Sequence, residues 1–365
     1  MKILFFVNSV DNILNYRLNL INYLIKKDFK IEILLPKRED IKKLYFLKLK
    51  IYSIDFEPRS LNFFFDIILL FKIYKIFNLS KPDLILQFTV KPVIYGSIVS
   101  RLLKLNVINI ITGLGSTFFN NYLSKLIFIF YLISQKKVKK IIFQNNSDKN
   151  IFLKKNIVQR NQSVVINGSG FDPIKFKLSS LPKKDPTVFA LISRIIKEKG
   201  ILEYINAASG LKKIYKHKVK FLLVGKLQTG NFFINKNIIK TAVKKKTIQY
   251  FRETKNVIEI LKKTHCLVLP SYREGFSKIL MEASSMGRPL IASNVPGCKE
   301  IIKNNVTGYL CEPKNHESLM YFMEKIVNSN NLELSKMGVR GRKYVVDNYS
   351  DKKIIEKIYR IIIKN

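Results

Sequence analysis

The stretch Cys266–Gly287, CLVLPSYREGFSKILMEASSMG, decides how this chain is read. Its apolar start, Cys266 to Leu269, has the length and composition of a strand buried on both faces. The run breaks at Pro270-Ser271-Tyr272-Arg273-Glu274-Gly275, a turn, and resumes near Phe276 with apolar residues at helical spacing. Glu274 lies on the turn, and Glu282 follows after seven intervening residues. That places it about two turns along a helix of ~3.6 residues per turn. Gly275 permits close backbone approach to a ligand, and the first N–H groups of a helix suit an anion. Carboxylates for sugar hydroxyls beside N–H groups for a phosphate suit a nucleotide-sugar. Two glutamates near a helix start also occur simply as charges favoured by the macrodipole. The rest of the chain decides between the two readings.

On both sides of this stretch, strands alternate with helices. Val188–Ser193, Phe221–Gly225, Thr247–Phe251 and Leu290–Ala292 read as strands, with helices at Ile201–Tyr215, Val257–Lys263 and Phe276–Met286. The first half repeats the pattern, with strands at Ile3–Val7, Ile31–Leu35, Leu84–Phe88, Val107–Ile111, Ile141–Gln144 and Val164–Asn167. Its helices are clearest at Leu14–Lys27, Leu61–Phe77, Val93–Leu105 and Asn121–Lys136. Strands apolar on both faces predict parallel sheets covered by helices, an α/β architecture of two Rossmann-like halves. The segment 168–186, GSGFDPIKFKLSSLPKKDP, carries two glycines and three prolines and reads as the linker between them. The expected domains are 1–168 and 169–349. Ser350 is placed to cap a last helix, 350–365, whose apolar face has the first half as one candidate partner.

Composition narrows the class. A chain of 365 residues that is 47% apolar can bury two ordinary cores. Its net charge of +39 implies anionic partners: phosphate-bearing substrates, an anionic membrane surface or nucleic acid. Lysines are spread over the whole chain, and no zinc finger, recognition-helix signature or RNP-like aromatic run accompanies them, so no nucleic-acid partner is expected. The three cysteines (Cys266, Cys298, Cys311) lack CxxC spacing, and His217, His265 and His316 are scattered singly. No metal site is expected, and a reducing cytoplasm fits the cysteine usage. MKILFFVNSVDN reads as a first strand rather than a signal peptide. The most apolar segments, Leu61–Phe77 and Tyr122–Ser134, are interrupted by Asp66 and Lys72 and by Lys125, short of the ~20 clean residues of a membrane span. Tyr122–Lys140 mixes apolar and basic residues, which suits either a helix packed on the sheet or one lying on an anionic membrane surface.

Sites in such sheets form at the carboxyl ends of the strands. No GxGxxG or Walker loop occurs there in context, which sets aside dinucleotide and P-loop readings. After the strand ending at Ile192 comes Ser193-Arg194-Ile195-Ile196-Lys197-Glu198-Lys199-Gly200. Arg194 and Lys199 straddle a strand-to-helix turn, a planar fork and a point charge suited to a diphosphate. Gly225 ends another strand of the same sheet and adds a second point of close backbone approach.

SRIIKEKG followed by PSYREGFSKILMEASSMGRPLIASNVPGCKEII resembles the retaining glycosyltransferases of family four, which have the GT-B architecture of two Rossmann-like domains facing a cleft. The first-half segments FTVKPVIYGS, INIITGLGS, FQNNSDKNIF and NGSGFD resemble a narrower subgroup that transfers N-acetylhexosamines onto undecaprenyl-diphosphate-linked sugars. The resemblance implies an N-terminal acceptor-side domain, a C-terminal donor domain, a UDP-sugar as donor substrate and metal-independent transfer without a cofactor. It implies that Arg194 and Lys199 bind the donor diphosphate and that Glu274 contacts hydroxyls of the transferred sugar. The Gly275, Phe276 and Ser277 backbone approaches the donor, Glu282 holds the ribose, and Tyr250 to Arg252, with Phe251 at the centre, lies near the base. On the acceptor side it implies that Gly113 and Gly115 shape the cleft floor, that Lys91 faces an acceptor phosphate, and that Thr112 stands where many members place a histidine. Asn8-Ser9 departs from the glycine pair that many members carry in the first loop. A glycoside hydrolase also uses paired carboxylates, but it has no need of the cationic turn.

Overall fold

The computed structural model describes residues 1–37, 40–57, 63–114, 121–228, 234–252 and 256–364. The chain divides into two compact units: Met1–Gly170 together with the final helix Asp351–Ile363, and Phe171–Ser350.

Unit 1 is built on β1 (Lys2–Phe6), β2 (Lys30–Pro36), β3 (Lys50–Ile54), β4 (Leu84–Phe88), β5 (Asn106–Ile111), β6 (Lys140–Phe143) and β7 (Ser163–Val165). All pairs are parallel, in the order β3-β2-β1-β4-β5-β6-β7. Successive residues of β1 serve opposite faces, as the two-residue period of a strand demands. Leu4 and Phe6 join Ile85, Ile141 and Phe143 under the helices Phe63–Ser80, Val90–Leu102 and Asn121–Gln135. Ile3 and Phe5 join Ile33, Leu86, Phe88 and Ile108 on the other face, under helix Leu18–Ile25. The last helix closes that second face. Its Ile354, Ile355, Ile358 and Ile362 recur at helical spacing and are all buried there, and Tyr359 packs edge-on against Tyr23 with ring centroids 5.4 Å apart.

Unit 2 contains β8 (Thr187–Ile192), β9 (Val219–Val224), β10 (Gln249–Phe251), β11 (Cys266–Leu269), β12 (Leu290–Ser293) and β13 (Gly308–Cys311). The order is β10-β9-β8-β11-β12-β13, again parallel throughout. Of the 13 strands among the described residues, β3 and β13 escape the pattern reading. They are short and lie at sheet edges, so neither shows a continuous apolar run. The helix Asn331–Tyr349, also unread, opens with a capping box between Asn330 and Glu333.

The linker segment has a tertiary role beyond connection. From Phe171 onward it folds onto unit 2, fastened by the buried Arg288. That guanidinium donates to the carbonyls of Met286, Thr264, Ser179 and Ser180, at 3.3 Å, 3.1 Å, 2.5 Å and 2.8 Å. It is a buried cation whose donors are met by neutral acceptors, the condition under which such burial is tolerated. His265 holds the same segment. It accepts from Val188 N–H at 2.9 Å and lies 3.1 Å from the Pro182 carbonyl, and burial lowers its pKa to about 4, so the ring is neutral at physiological pH.

Candidate active site

The strand order of unit 2 brings the loops after β9, β8 and β11 side by side at the carboxyl edge, with Gly225, Arg194 and Glu274 respectively on them and Phe251 at the end of β10. The reversal of strand order falls between β8 and β11, where such sheets bind ligands.

The central contact joins the two loops that flank this switch point. The Lys199 ammonium pairs with Glu274 Oε1, and Ser271 Oγ donates to the same oxygen at 2.7 Å. The side chains are only 16% and 12% exposed, so the pair is largely shielded from water. Two further bonds fasten the loops: Tyr272 N–H to the Glu198 carbonyl at 2.8 Å and Tyr272 OH to Glu203 Oε1 at 2.7 Å. The first of these runs backbone to backbone and so does not depend on the tyrosine side chain. Gly200, at φ 68°, sits in the left-handed region, and a Cβ there would overlap the Pro270 carbonyl. Gly225, at φ 150°, is equally constrained, because a Cβ would overlap the Ser193 carbonyl. Glycine at these two positions lets the loops after β8, β9 and β11 close on one another.

The other expected residues are placed as follows. Arg194 is exposed on its loop and forms no ion pair among the described residues. Gly225 N–H donates to the Phe251 carbonyl at 2.9 Å, and Tyr250 OH donates to the Gly225 carbonyl at 2.9 Å. The Phe251 ring is 42% exposed. The helix after the turn begins at Lys278, not near Phe276. Phe276 is held against Tyr349 with centroids 5.0 Å apart, and Ser277 N–H donates to the Gly297 carbonyl at 2.9 Å. The Ser277 N–H is therefore engaged within the protein. Gly275 remains half-buried on the turn.

Glu282 lies on the helix Lys278–Ser285, apart from the Lys199–Glu274 pair, and its nearest cation is Lys278 at 3.7 Å. Burial raises its pKa to about 7, against the opposing pull of Lys278 and Lys175. Ser271 and Gly297 were not singled out from sequence. Ser271 orients Glu274, and at Gly297, with φ 80°, a Cβ would overlap the Glu274 and Gly275 carbonyls. The serine is visible inside PSYREG, whereas nothing local marks the glycine.

In unit 1 the expected residues do not form a comparable cluster. Lys91 is buried and its ammonium lies 2.7 Å from Asp66 Oδ1, while Tyr95 OH donates to Asp66 Oδ2 at 2.7 Å. An internal carboxylate thus occupies the lysine that was expected to face a phosphate. Thr112 and Gly113 follow β5 and are half-buried, with Gly113 at φ 116°. Gly115 lies outside the described residues.

Residues 2–145 match the family model described as glycosyl transferase 4-like, and residues 174–344 match that described as glycosyl transferases group 1. The chain belongs to this family of glycosyltransferases, and its two parallel-sheet, Rossmann-like units are those of the GT-B class. It is 26% identical to the N,N'-diacetylbacillosaminyl-diphospho-undecaprenol alpha-1,3-N-acetylgalactosaminyltransferase of Campylobacter jejuni, with 100% of both chains covered. It is 26% identical to the UDP-Gal:alpha-D-GlcNAc-diphosphoundecaprenol alpha-1,3-galactosyltransferase of Escherichia coli, over 84% of this chain and 81% of that one. The crystal structure of Anabaena HepE in complex with UDP and glucose matches with a TM-score of 0.82 over 100% of both chains, at 16% identity, a likeness of fold.

The Glu282 environment makes a pH-dependent prediction. The folded state retains a proton, with a pKa of about 7, that a carboxyl at the ordinary 4.5 has already lost, so stability falls as pH rises through that window. Glu282→Gln removes this dependence. Unfolding of the unliganded protein at about pH 5 and about pH 8 should show the variant gaining about 3 kcal/mol over wild type at the higher pH. An equal difference at both pH values would show that the carboxyl is not held in its neutral form.

Proposed function

We propose that this glycosyltransferase moves an N-acetylhexosamine from a UDP-sugar to a polyprenyl-diphosphate-linked saccharide, with retention of anomeric configuration, in surface-glycan or glycoprotein-glycan assembly. The observation that carries the reading is the shielded Lys199–Glu274 pair at the switch point of unit 2, beside the exposed Arg194. The two relatives named above support the acceptor class, since both act on a diphospho-undecaprenol substrate by name, and the second is named for a UDP-sugar donor.

In this mechanism Arg194 and Lys199 take up the charge of the leaving diphosphate while the acceptor hydroxyl attacks from the same face. Cations already in place stabilise charge that develops in the transition state, and removing one such group commonly costs ~3 kcal/mol, about a hundredfold in rate. Glu274 accepts from hydroxyls of the transferred sugar. Lys199 and Ser271 hold its carboxylate in one orientation, which fixes the sugar relative to the diphosphate. Glu282 takes the ribose hydroxyls, Gly225 and Gly275 give the backbone close approach, and Phe251 lies by the base. The chain's own cations, rather than a metal ion, carry the leaving-group charge.

We also propose that unit 1 rests on the anionic cytoplasmic face of the membrane. The helices Phe63–Ser80 and Asn121–Gln135 both pack on helix Val90–Leu102. Ile68, Phe71 and Leu79 on the first, and Leu126, Ile129 and Ile133 on the second, are exposed. Exposed Lys75, Lys125, Lys136 and Lys137 belong to or follow these helices. Apolar side chains rimmed by lysines fit a bilayer surface, where each nearby cation contributes about 1 kcal/mol. Among the described residues no helix is long and apolar enough to cross a membrane.

Two experiments test these proposals. With a lipid-diphosphate saccharide as acceptor, wild type should release UDP from a UDP-N-acetylhexosamine, and a chelator should not stop it. Arg194→Ala should lower turnover about a hundredfold without changing Tm. Lys199→Ala should lower turnover similarly and also cost about 3 kcal/mol of stability, because it strands the shielded Glu274 carboxylate. Near-normal turnover in both variants would remove the site assignment. In flotation, the protein should rise with anionic liposomes at low salt, and Phe71→Ser with Ile129→Ser should reduce the bound fraction. No binding at low salt would refute the membrane surface.

A further inference from the structure

The sheet of unit 1 has its own switch point, between β1 and β4. The chain leaving β1 forms helical turns on one face of the sheet, and the helix after β4, Val90–Leu102, packs on the other. At the carboxyl end of β4, Thr89 adopts φ 71° and ψ 170°, a region that is essentially glycine's. Strain of this kind persists only where the surroundings enforce it.

Beside this point lies Arg17. It ends a π-helical stretch, Ile13–Arg17, inside the segment that follows β1, and such bulges occur frequently at functional sites. Its guanidinium carbon sits 4.2 Å from the centroid of the Phe88 ring, the last residue of β4. The residue is 3% exposed. Its Nε has no hydrogen-bond partner, and no carboxylate pairs with Arg17, among the described residues. Burial lowers its pKa to about 10, so it remains a cation at neutral pH.

Arg288 shows what a structural arginine looks like in this protein: as deeply buried, but with its donors met by four carbonyls. Among the described residues Arg17 has the face of Phe88 and an Nε without a hydrogen-bond partner. A buried charge without an anion is a strong liability, and stacking on an aromatic ring offsets only part of it. Among the described residues no anion meets this charge, which leaves room for one supplied by a ligand.

We propose that Arg17 is an anion receptor of unit 1, pairing with a phosphate-class oxyanion at the carboxyl edge between β1 and β4. On the transferase reading, on which the identity of the carrier rests, this oxyanion belongs to the diphosphate of the lipid-linked acceptor. Arg17 thereby takes the role expected of Lys91, whose ammonium is held by Asp66.

The test uses the full chain and the substitution Arg17→Met, which keeps an unbranched apolar side chain and removes the charge. In an Arg194→Ala background, which weakens binding of the probe on the donor side, inorganic pyrophosphate should raise the Tm of the protein that retains Arg17. It should leave that of Arg17→Met unmoved, while unliganded Arg17→Met should be no less stable than its parent. An equal pyrophosphate response in both proteins, or a loss of unliganded stability with that response intact, would mark Arg17 as a structural cation and overturn the proposal. In turnover, Arg17→Met should raise KM for the lipid-diphosphate acceptor about tenfold or more and leave KM for the UDP-sugar unchanged. A rise in donor KM alone would assign the oxyanion to the nucleotide and overturn the acceptor assignment. If wild type releases UDP from no donor, the functional reading fails, and the pyrophosphate arm still decides the site.

Discussion

The pairing of Lys199 with Glu274 is the constraint from which the candidate site follows. The two residues are 75 positions apart in sequence, and they meet because β8 and β11 are neighbours whose carboxyl-end loops approach at backbone distance. Gly200 under Pro270 permits that approach, and the backbone bond from Tyr272 to Glu198 holds it. A shielded ion pair contributes little net stability against well-packed apolar residues, because desolvation offsets the Coulombic gain. What it contributes here is orientation: the carboxylate is fixed by the ammonium and by Ser271 before any ligand arrives.

Much of this was legible in the chain because it is local. A strand such as Cys266–Leu269, apolar on both faces, followed by a turn with glycine and a helical repeat, carries its own signature, and the structure places the strand at those residues. The alternation of such units specified two parallel, helix-covered sheets, while the GT-B class was implied by the resemblance that the Arg194–Lys199 turn and the Glu274–Glu282 pair carry. Edge strands carry less of that signal. β3 alternates between exposed and buried residues over only five positions, and β13 is four residues long.

Long-range pairing was less legible than local pattern. Lys91 looked like a cation available to a phosphate until Asp66, 25 residues earlier and on another helix, was found bound to it. The bond from the Ser277 N–H to the Gly297 carbonyl, 20 residues on, is likewise invisible to local pattern. Arg17 does not stand out by composition, as one of 65 lysines and arginines. Burial, and an Nε without a hydrogen-bond partner among the described residues, distinguish it. Net charge is thus a poor guide to sites in this protein, whereas the partner of each shielded charge is an informative one.

On the proposed function, the carboxyl edge of unit 2 holds the donor nucleotide between the Arg194–Lys199 turn and Glu282. A crystal structure of the protein with UDP tests it most directly. Diphosphate oxygens should lie within hydrogen-bond reach of Arg194 and Lys199, and ribose hydroxyls on the Glu282 carboxylate. UDP bound with its diphosphate away from both cations, or with its ribose away from Glu282, would contradict it.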